Sequence, residues 1–422
     1  MQVSHKNTSP DEQRVAVVIG GGAAGFFCAV NAARLNPSLK VIILEKTGRL
    51  LSKVKVSGGG RCNFTHACFE RDVMARQYPR GEHFVRKIFH QFFTNDIIDW
   101  FAKRDVAHKT EADGRIFPVS DSSQSIIDCL LREAAEYGVE IRTKVQISKI
   151  SLIGDKFLLT HSDGQKITAD YVCVATGGNS LGTDSSWLKE LGHTIVAPVP
   201  SLFTFNLPGN RIRSLMGISL PEVRLKIVGS GRQERGPILI THWGLSGPCV
   251  LRLSAFAARD LAENHWQFDL RVNWLPHLNE HILREQLSQL RATHASQKIY
   301  QRNNFGLPAR FWEFLLQVSG IPEDLRWADL SAKQSQKLAG NLQDWPCGVK
   351  GKSVFKEEFV TAGGIHLREI DHRTMMSKIV PNLFFAGEII DVDGVTGGFN
   401  FQNAWSTGFV AAKSIAARVS ES

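Results

Sequence analysis

An apolar run, three consecutive glycines and a small-residue run follow one another near the start of this chain, and that succession constrains the fold more than any other feature. Val15-Ala-Val-Val-Ile19 carries no polar side chain, as expected of a parallel strand covered on both faces. It runs into Gly20-Gly21-Gly22-Ala23-Ala24-Gly25, a GxGxxG pattern, and then into a helix-like segment from Phe26 to Leu35. In such a turn the first glycine permits the tight bend. The second lets a pyrophosphate approach the backbone, and the third lets helix and strand pack closely. A second buried-type strand, Val41-Ile-Ile-Leu44, ends at Glu45, where a carboxylate accepts hydrogen bonds from ribose hydroxyls. Lys46, next to it, joins the candidate binding set.

Val15 to Ala33 is uncharged and long enough to mimic a membrane span, but the glycines divide it into strand, turn and helix. The polar start, 1–13, has no apolar h-region and reads as a disordered tail. Seven cysteines without a CxxC pair fit a reducing compartment and argue against a flavin–disulfide reductase, so a cytoplasmic protein without a membrane segment is expected. With 422 residues, of which 43% are hydrophobic, more than one core can be buried. The net charge of +9 permits nucleic acid as a partner without implying it.

Three further segments point to FAD rather than NAD alone. Ser57-Gly58-Gly59-Gly60-Arg61-Cys62-Asn63 forms a loop rich in backbone N–H groups, with five cations and no acid between Lys46 and Arg61. Tyr171-Val-Cys-Val-Ala175-Thr176 reads as another buried strand that ends in Gly177-Gly178. Leu383-Phe-Phe-Ala-Gly387-Glu388 opens a C-terminal return through Asp391 and Gly397-Gly398-Phe399-Asn400 into a small-residue helix. A helix N-terminus facing a flavin would stabilise negative charge on it. Val145 completes the candidate cofactor set.

These segments, together with Thr241-His242-Trp243-Gly244-Leu245-Ser246-Gly247-Pro248 and Thr361-Ala362-Gly363-Gly364, resemble the signatures of the bacterial flavoprotein family described as HI-type or YhiN-like. The likeness runs from about Val15 to Ala417. It implies an α/β protein with a Rossmann-like FAD-binding domain of the glutathione-reductase type, into which a β-rich domain and a small helical domain are inserted. Strand-like and helix-like patterning divides the chain in the same way. The expected FAD-binding domain covers 14–200 and 361–422, the β-rich insertion 201–275 and 344–360, and the helical domain 276–343. Gly229-Ser-Gly231 reads as a hairpin turn, because Glu234 stands where a second dinucleotide motif needs its third glycine. No dedicated NAD(P) domain is visible, so NAD(P)H is expected as a transient electron donor.

Beyond the cofactor, Arg61 is a candidate to steady an anionic flavin or substrate, and Asn63 and Asn400 to hydrogen-bond the flavin ring. Cys62 is a candidate carbon acid, with a buried packing role as the alternative. His242, in a loop-like setting, is a candidate catalytic imidazole or a structural histidine. No metal-ligand spacing stands out, since His277 and His281 lack an accompanying carboxylate motif. Three functions follow. The first is a reductase acting on a C=C or C=N bond of a small unsaturated molecule. The second, implied by another branch of the resembled family, is reduction of uridine to dihydrouridine in ribosomal RNA. Arg211, Arg213, Arg224, Lys226, Arg232 and Arg235 would then contact phosphates or form a solvated basic face. The third is a flavin-dependent redox sensor. Oligomeric state is not legible.

Overall fold

The computed structural model describes residues 13–178, 186–352 and 360–421. The polar tail lies outside them, as does most of the expected strand-like stretch near 352–360. The chain divides into two compact units, Met1–Pro198 with Val360–Ser422, and Val199–Phe359.

The first unit is built on a five-stranded parallel sheet. At its centre lies β1 (Val15–Ile19), flanked by β2 (Lys40–Glu45) and by the strand Tyr171–Val174; Leu383–Phe385 and Glu140–Thr143 form the edges. The central position explains why β1 has no polar side chain, since both of its faces are covered. Helix α1 (Ala23–Leu35) has every residue from Ala24 to Ala33 buried, because it is sandwiched between the sheet and the C-terminal helix Phe399–Glu421. Two glycines permit that approach. A Cβ on Gly25 would lie 1.9 Å from the Gly20 carbonyl oxygen, and one on Gly408 would lie 2.8 Å from that of Ala24. Phe27 anchors the aromatic packing beside them, with ring centroids 4.8 Å from Trp100 and 5.3 Å from Trp405. The charge-free stretch that imitates a membrane span is therefore a buried strand, a turn and a buried helix. Among the described residues no helix is long and apolar enough to cross a membrane. The same unit carries an antiparallel meander, Ile147–Ile153, Lys156–His161 and Lys166–Ala169, and a three-stranded sheet of Thr65–His66, Arg115–Pro118 and His108–Thr110.

The second unit carries a six-stranded sheet whose long strands, Ser219–Ile227, Gln233–Ile240, Gln267–Asn273 and Trp345–Lys350, pair antiparallel in sequence-alternating register. The turn at Gly229-Ser230-Gly231 joins the first two, with φ of +81° and +69° at its glycines. Asn206 N donates to the Gly351 carbonyl at 3.2 Å, so the short strand Phe205–Asn206 meets the far end of the sheet. Alternation places Val223, Leu225, Ile227, Ile238, Leu270, Val272 and Val349 inside. The helices Glu280–Thr293, Ala309–Val318 and Ala332–Gln343 add Leu287, Phe311, Leu315 and Leu338 to the same apolar cluster. Strand-patterned and helix-patterned segments thus share one core here, because each has a single apolar face to cover.

Candidate dinucleotide site

Around the end of β1 the three glycines differ sharply in what surrounds them. A Cβ on Gly20 would sit 2.4 Å from the Ala175 carbonyl oxygen, and one on Gly25 would collide with Gly20 itself, whereas one on Gly22 would meet nothing within 4 Å. Gly20 also has φ +114°, a region that favours glycine. Two glycines thus serve close packing and the third leaves open space. Gly22 is the N-cap of α1, no side chain caps that helix, and its first turn, which includes Ala23 and Ala24, holds no acid. Those N–H groups and the helix dipole suit a diphosphate.

Glu45 shapes the turn from the end of β2. Its Oε2 accepts from Gly21 N at 2.8 Å, and its Oε1 accepts from both the Thr47 N–H and the Thr47 hydroxyl at 2.8 Å. Each carboxylate oxygen can accept more than one hydrogen bond, so Oε2 retains capacity for a ribose hydroxyl. Val145 closes over the same place, with its N–H donating to the Glu45 carbonyl at 2.9 Å. Lys46 is exposed beside it.

Helix α2 (Ser52–Gly60) leaves helical geometry at Ser57 and turns left-handed through Gly58, Gly59 and Gly60, at φ of +57°, +70° and +86°, so the segment from Ser57 has loop geometry. Cβ atoms on Gly59 and Gly60 would meet nothing within 4 Å. Successive left-handed residues turn backbone N–H groups toward one side, the arrangement that favours anions. From the same helix Lys53 Nζ reaches Glu388 Oε2 at 2.5 Å, and Glu388 Oε1 accepts from Thr361 N at 2.7 Å. Gly178 lies against that pair, since its Cβ would be 2.6 Å from Thr361 Cβ and 3.2 Å from Glu388 Cγ. Gly177 is left-handed at φ +76°, and Thr176 continues the strand end that approaches Gly20. A Cβ on Gly387 would lie 2.7 Å from that of Ala24, and the Gly387 N–H donates to Thr407 Oγ1.

The C-terminal return closes this arrangement. Asp391 N donates to the Ile365 carbonyl at 3.1 Å. A Cβ on Gly398 would lie 2.9 Å from Asn63 Oδ1, a buried amide oxygen without a hydrogen-bond partner among the described residues. His66 donates from Nδ1 to the Gly397 carbonyl at 3.0 Å and stacks on Phe399 at 4.7 Å. Burial pulls the His66 pKa down, and the bond to Gly397 opposes that shift. Tyr78 OH donates to the Phe399 carbonyl at 2.6 Å, and Arg80 pairs with the fully buried Asp393.

Four further candidates have defined surroundings in this geometry. Cys62 is 0% exposed, and burial pushes its thiol up to about 12, against a lowering hydrogen bond from Ser57. That enclosure favours the packing alternative for Cys62. Arg61 meets Glu111 Oε1 at 2.6 Å and covers the Phe117 ring at 4.0 Å, so its charge is matched by protein groups fifty residues away. Asn400 donates to and accepts from the backbone of Gly394 at 2.8 Å in each direction, so its amide clamps a loop and has those bonds to keep. His242 belongs to the second unit, exposed, with its carbonyl accepting from Arg213 Nε at 2.5 Å. Lys53, Thr407, His66 and the Arg80–Asp393 pair were not legible as site components, because each acts through a partner remote in sequence, whereas Thr361 stood out only as part of a motif. Among the described residues no cluster of His, Cys, Asp or Glu could hold a metal ion.

The cradle fits a dinucleotide on three counts: the open space at Gly22, the uncapped α1 terminus and the orphaned Asn63 amide oxygen. Comparison with known proteins agrees. The family model described as the HI0933-like protein Rossmann domain matches residues 14–414. A ribosomal RNA dihydrouridine synthase of Escherichia coli K12 is 31% identical over 95% of this chain and 98% of its own. A 3-dehydro-bile acid delta(4,6)-reductase of Clostridium scindens is 29% identical over 95% and 98%. Among solved structures, a 3-ketosteroid delta1-dehydrogenase from Sterolibacterium denitrificans shares the fold at 12% identity with a TM-score of 0.51, covering 96% of this chain and 99% of that one.

Proposed function

The chain belongs to the HI0933-like family of FAD-binding flavoproteins and is an FAD-dependent oxidoreductase, and from that premise we propose that it reduces a carbon–carbon double bond conjugated to a carbonyl, with NAD(P)H as electron donor. The observation that carries this reading is the cradle, where a glycine with open space about it stands at the uncapped N-terminus of the helix that follows a parallel strand. The relatives' names supply the reaction class. Dihydrouridine is uridine saturated at a bond conjugated to a ring carbonyl, and a delta(4,6)-reductase of a 3-dehydro compound acts on ring double bonds conjugated to a ketone.

Bound FAD supplies a two-electron carrier at this site. In the net reaction NAD(P)H gives a hydride to the carbon remote from the carbonyl, a proton joins the neighbouring carbon, and NAD(P)⁺ leaves. The chain's own residues bind and orient. The α1 terminus and the Gly58–Gly60 turn hold anionic oxygens, Glu45 accepts from a ribose, and the orphaned Asn63 oxygen accepts an N–H or O–H. Lys53 holds Glu388 in place, while Tyr78, His66 and Arg80 hold the segment that leads into the C-terminal helix. Cys62 keeps its proton throughout, being enclosed and shifted far above neutral pH.

The conjugated bond has two sources, a small enone and uridine in ribosomal RNA. The test is to purify the protein, record the flavin absorbance, reduce it anaerobically with NADH or NADPH, and offer each acceptor. Reoxidation by an enone panel with saturated products, or by dihydrouridine-free ribosomal RNA with dihydrouridine found by mass spectrometry, supports the proposal and names the source. A protein that purifies with flavin but is reoxidised by neither acceptor refutes it.

A further inference from the structure

The outer face of the second unit's sheet is unusual in its charge pairing. Strands Ser219–Ile227 and Gln233–Ile240 set Arg224 directly opposite Arg235, and strands Ser219–Ile227 and Gln267–Asn273 set Lys226 directly opposite Arg271. All four side chains are exposed. Like charges facing each other across strands are destabilising, so two adjacent pairs on one face need a compensating partner. The protein supplies only part of it. Arg235 is matched by Glu222 at 2.7 Å and Arg271 by Asp344 at 3.3 Å, and Asp269 is exposed two residues from Arg271 on the same face. Arg224 and Lys226 have no carboxylate within salt-bridge distance among the described residues, and neither does Lys350 at the end of the neighbouring strand. Same-face residues along a strand recur roughly every 7 Å, so these cations form a grid rather than a point.

We infer that this sheet face docks the phosphate backbone of RNA. A sheet face with three unmatched cations, Arg224, Lys226 and Lys350, beside two matched ones suits a repeating anion, since each neutralised phosphate releases condensed counterions. A single small anion would use one position and leave the rest opposed. The inference deepens the proposed reading, on which it rests, by assigning the conjugated bond to a base carried on RNA and by placing the carrier's backbone on the second unit.

The test uses the full-length holoprotein and a fluorescein-labelled oligouridine, with binding followed by anisotropy across a salt series. The R224Q/K226Q variant is compared with R284Q/R291Q, which removes equal charge from the exposed side of the helix Glu280–Thr293. Retained flavin absorbance and cooperative unfolding establish that both variants fold. The expected result is a salt slope shallower by about 1.4 for R224Q/K226Q, two phosphate contacts at ~0.7 each for a single strand, with the R284Q/R291Q slope unchanged. An unaltered slope in R224Q/K226Q, an equal loss in R284Q/R291Q, or tighter binding to phosphatidylserine vesicles than to oligouridine overturns the inference. Failure of the underlying reading shows separately, as the absence of saturated product from either acceptor with the unmodified protein.

Discussion

Substituting alanine at Gly22 and at Gly25 should separate cofactor binding from folding, although the two residues lie within one turn. The new methyl on Gly22 meets nothing in the protein, and the backbone there, at φ −92° and ψ −172°, is open to alanine. The expected effect on the flavin-free protein is under about 1 kcal/mol, the scale of changing a helix cap. The methyl nevertheless occupies the open space before the α1 N–H groups, which the proposed site reserves for the diphosphate. Losing one charge-assisted hydrogen bond costs about 1.5–3 kcal/mol, which is a loss of FAD affinity of roughly 10- to 100-fold. At Gly25 the methyl would stand 1.9 Å from the Gly20 oxygen, so α1 must retreat from β1 by about 1.5 Å to reach ordinary contact. Helix α1 is held on its other side by the C-terminal helix, so the strain should cost about 1–3 kcal/mol even without flavin. Urea unfolding of both apoproteins, with FAD titration by fluorescence quenching, provides the comparison. The reasoning is refuted if G22A unfolds as early as G25A, or if it binds FAD as tightly as the parent.

Removing the Arg80 guanidinium takes the ion-pair partner from the fully buried Asp393, so R80A should lose about 3–5 kcal/mol in denaturant titration; a loss below about 1 kcal/mol would contradict it. Cys68 is the one half-buried thiol and the other six are buried, so iodoacetamide should label one cysteine in the native protein and seven in urea; labelling of Cys62 in the native state would reopen its role as an acid. Burial raises Cys62, Cys249 and Cys347 from 9.0 to about 12, and Cys129 to about 11. The unfolded chain therefore loses those protons first, and stability present below pH 9 should fall between about pH 9 and 12; a flat urea midpoint across that range would contradict it. C62A should retain turnover, and abolition with flavin still bound would place the thiol at the reacting atoms.

Much of the site was legible because a dinucleotide turn imposes local requirements. Gly20 and Gly25 touch backbone only a few residues away or on the neighbouring strand, and Glu45 reaches Gly21 across adjacent parallel strands, so composition and spacing carry the signal. The buried β1 was equally plain, since a strand covered on both faces shows as an unbroken apolar run. For Arg61, Cys62 and Asn400 the sequence does not carry their contacts. Whether a guanidinium meets Glu111 or a ligand depends on a segment fifty residues away, and whether a thiol is enclosed depends on everything packed around it.

The sequence by itself determined the parallel-sheet nucleotide turn, the segments that converge on it and the alternation of the second unit's strands, because these follow from the period of side chains along a backbone and from glycine's missing Cβ. Only the tertiary structure decided that Lys53 meets Glu388 across 335 residues, that Arg80 neutralises Asp393 beneath the C-terminal return, and that Arg224 and Lys226 face other cations. Partner choice and strand register are long-range outcomes: a one-residue slip would turn the basic face inward, and no local pattern in either strand records which residue stands opposite.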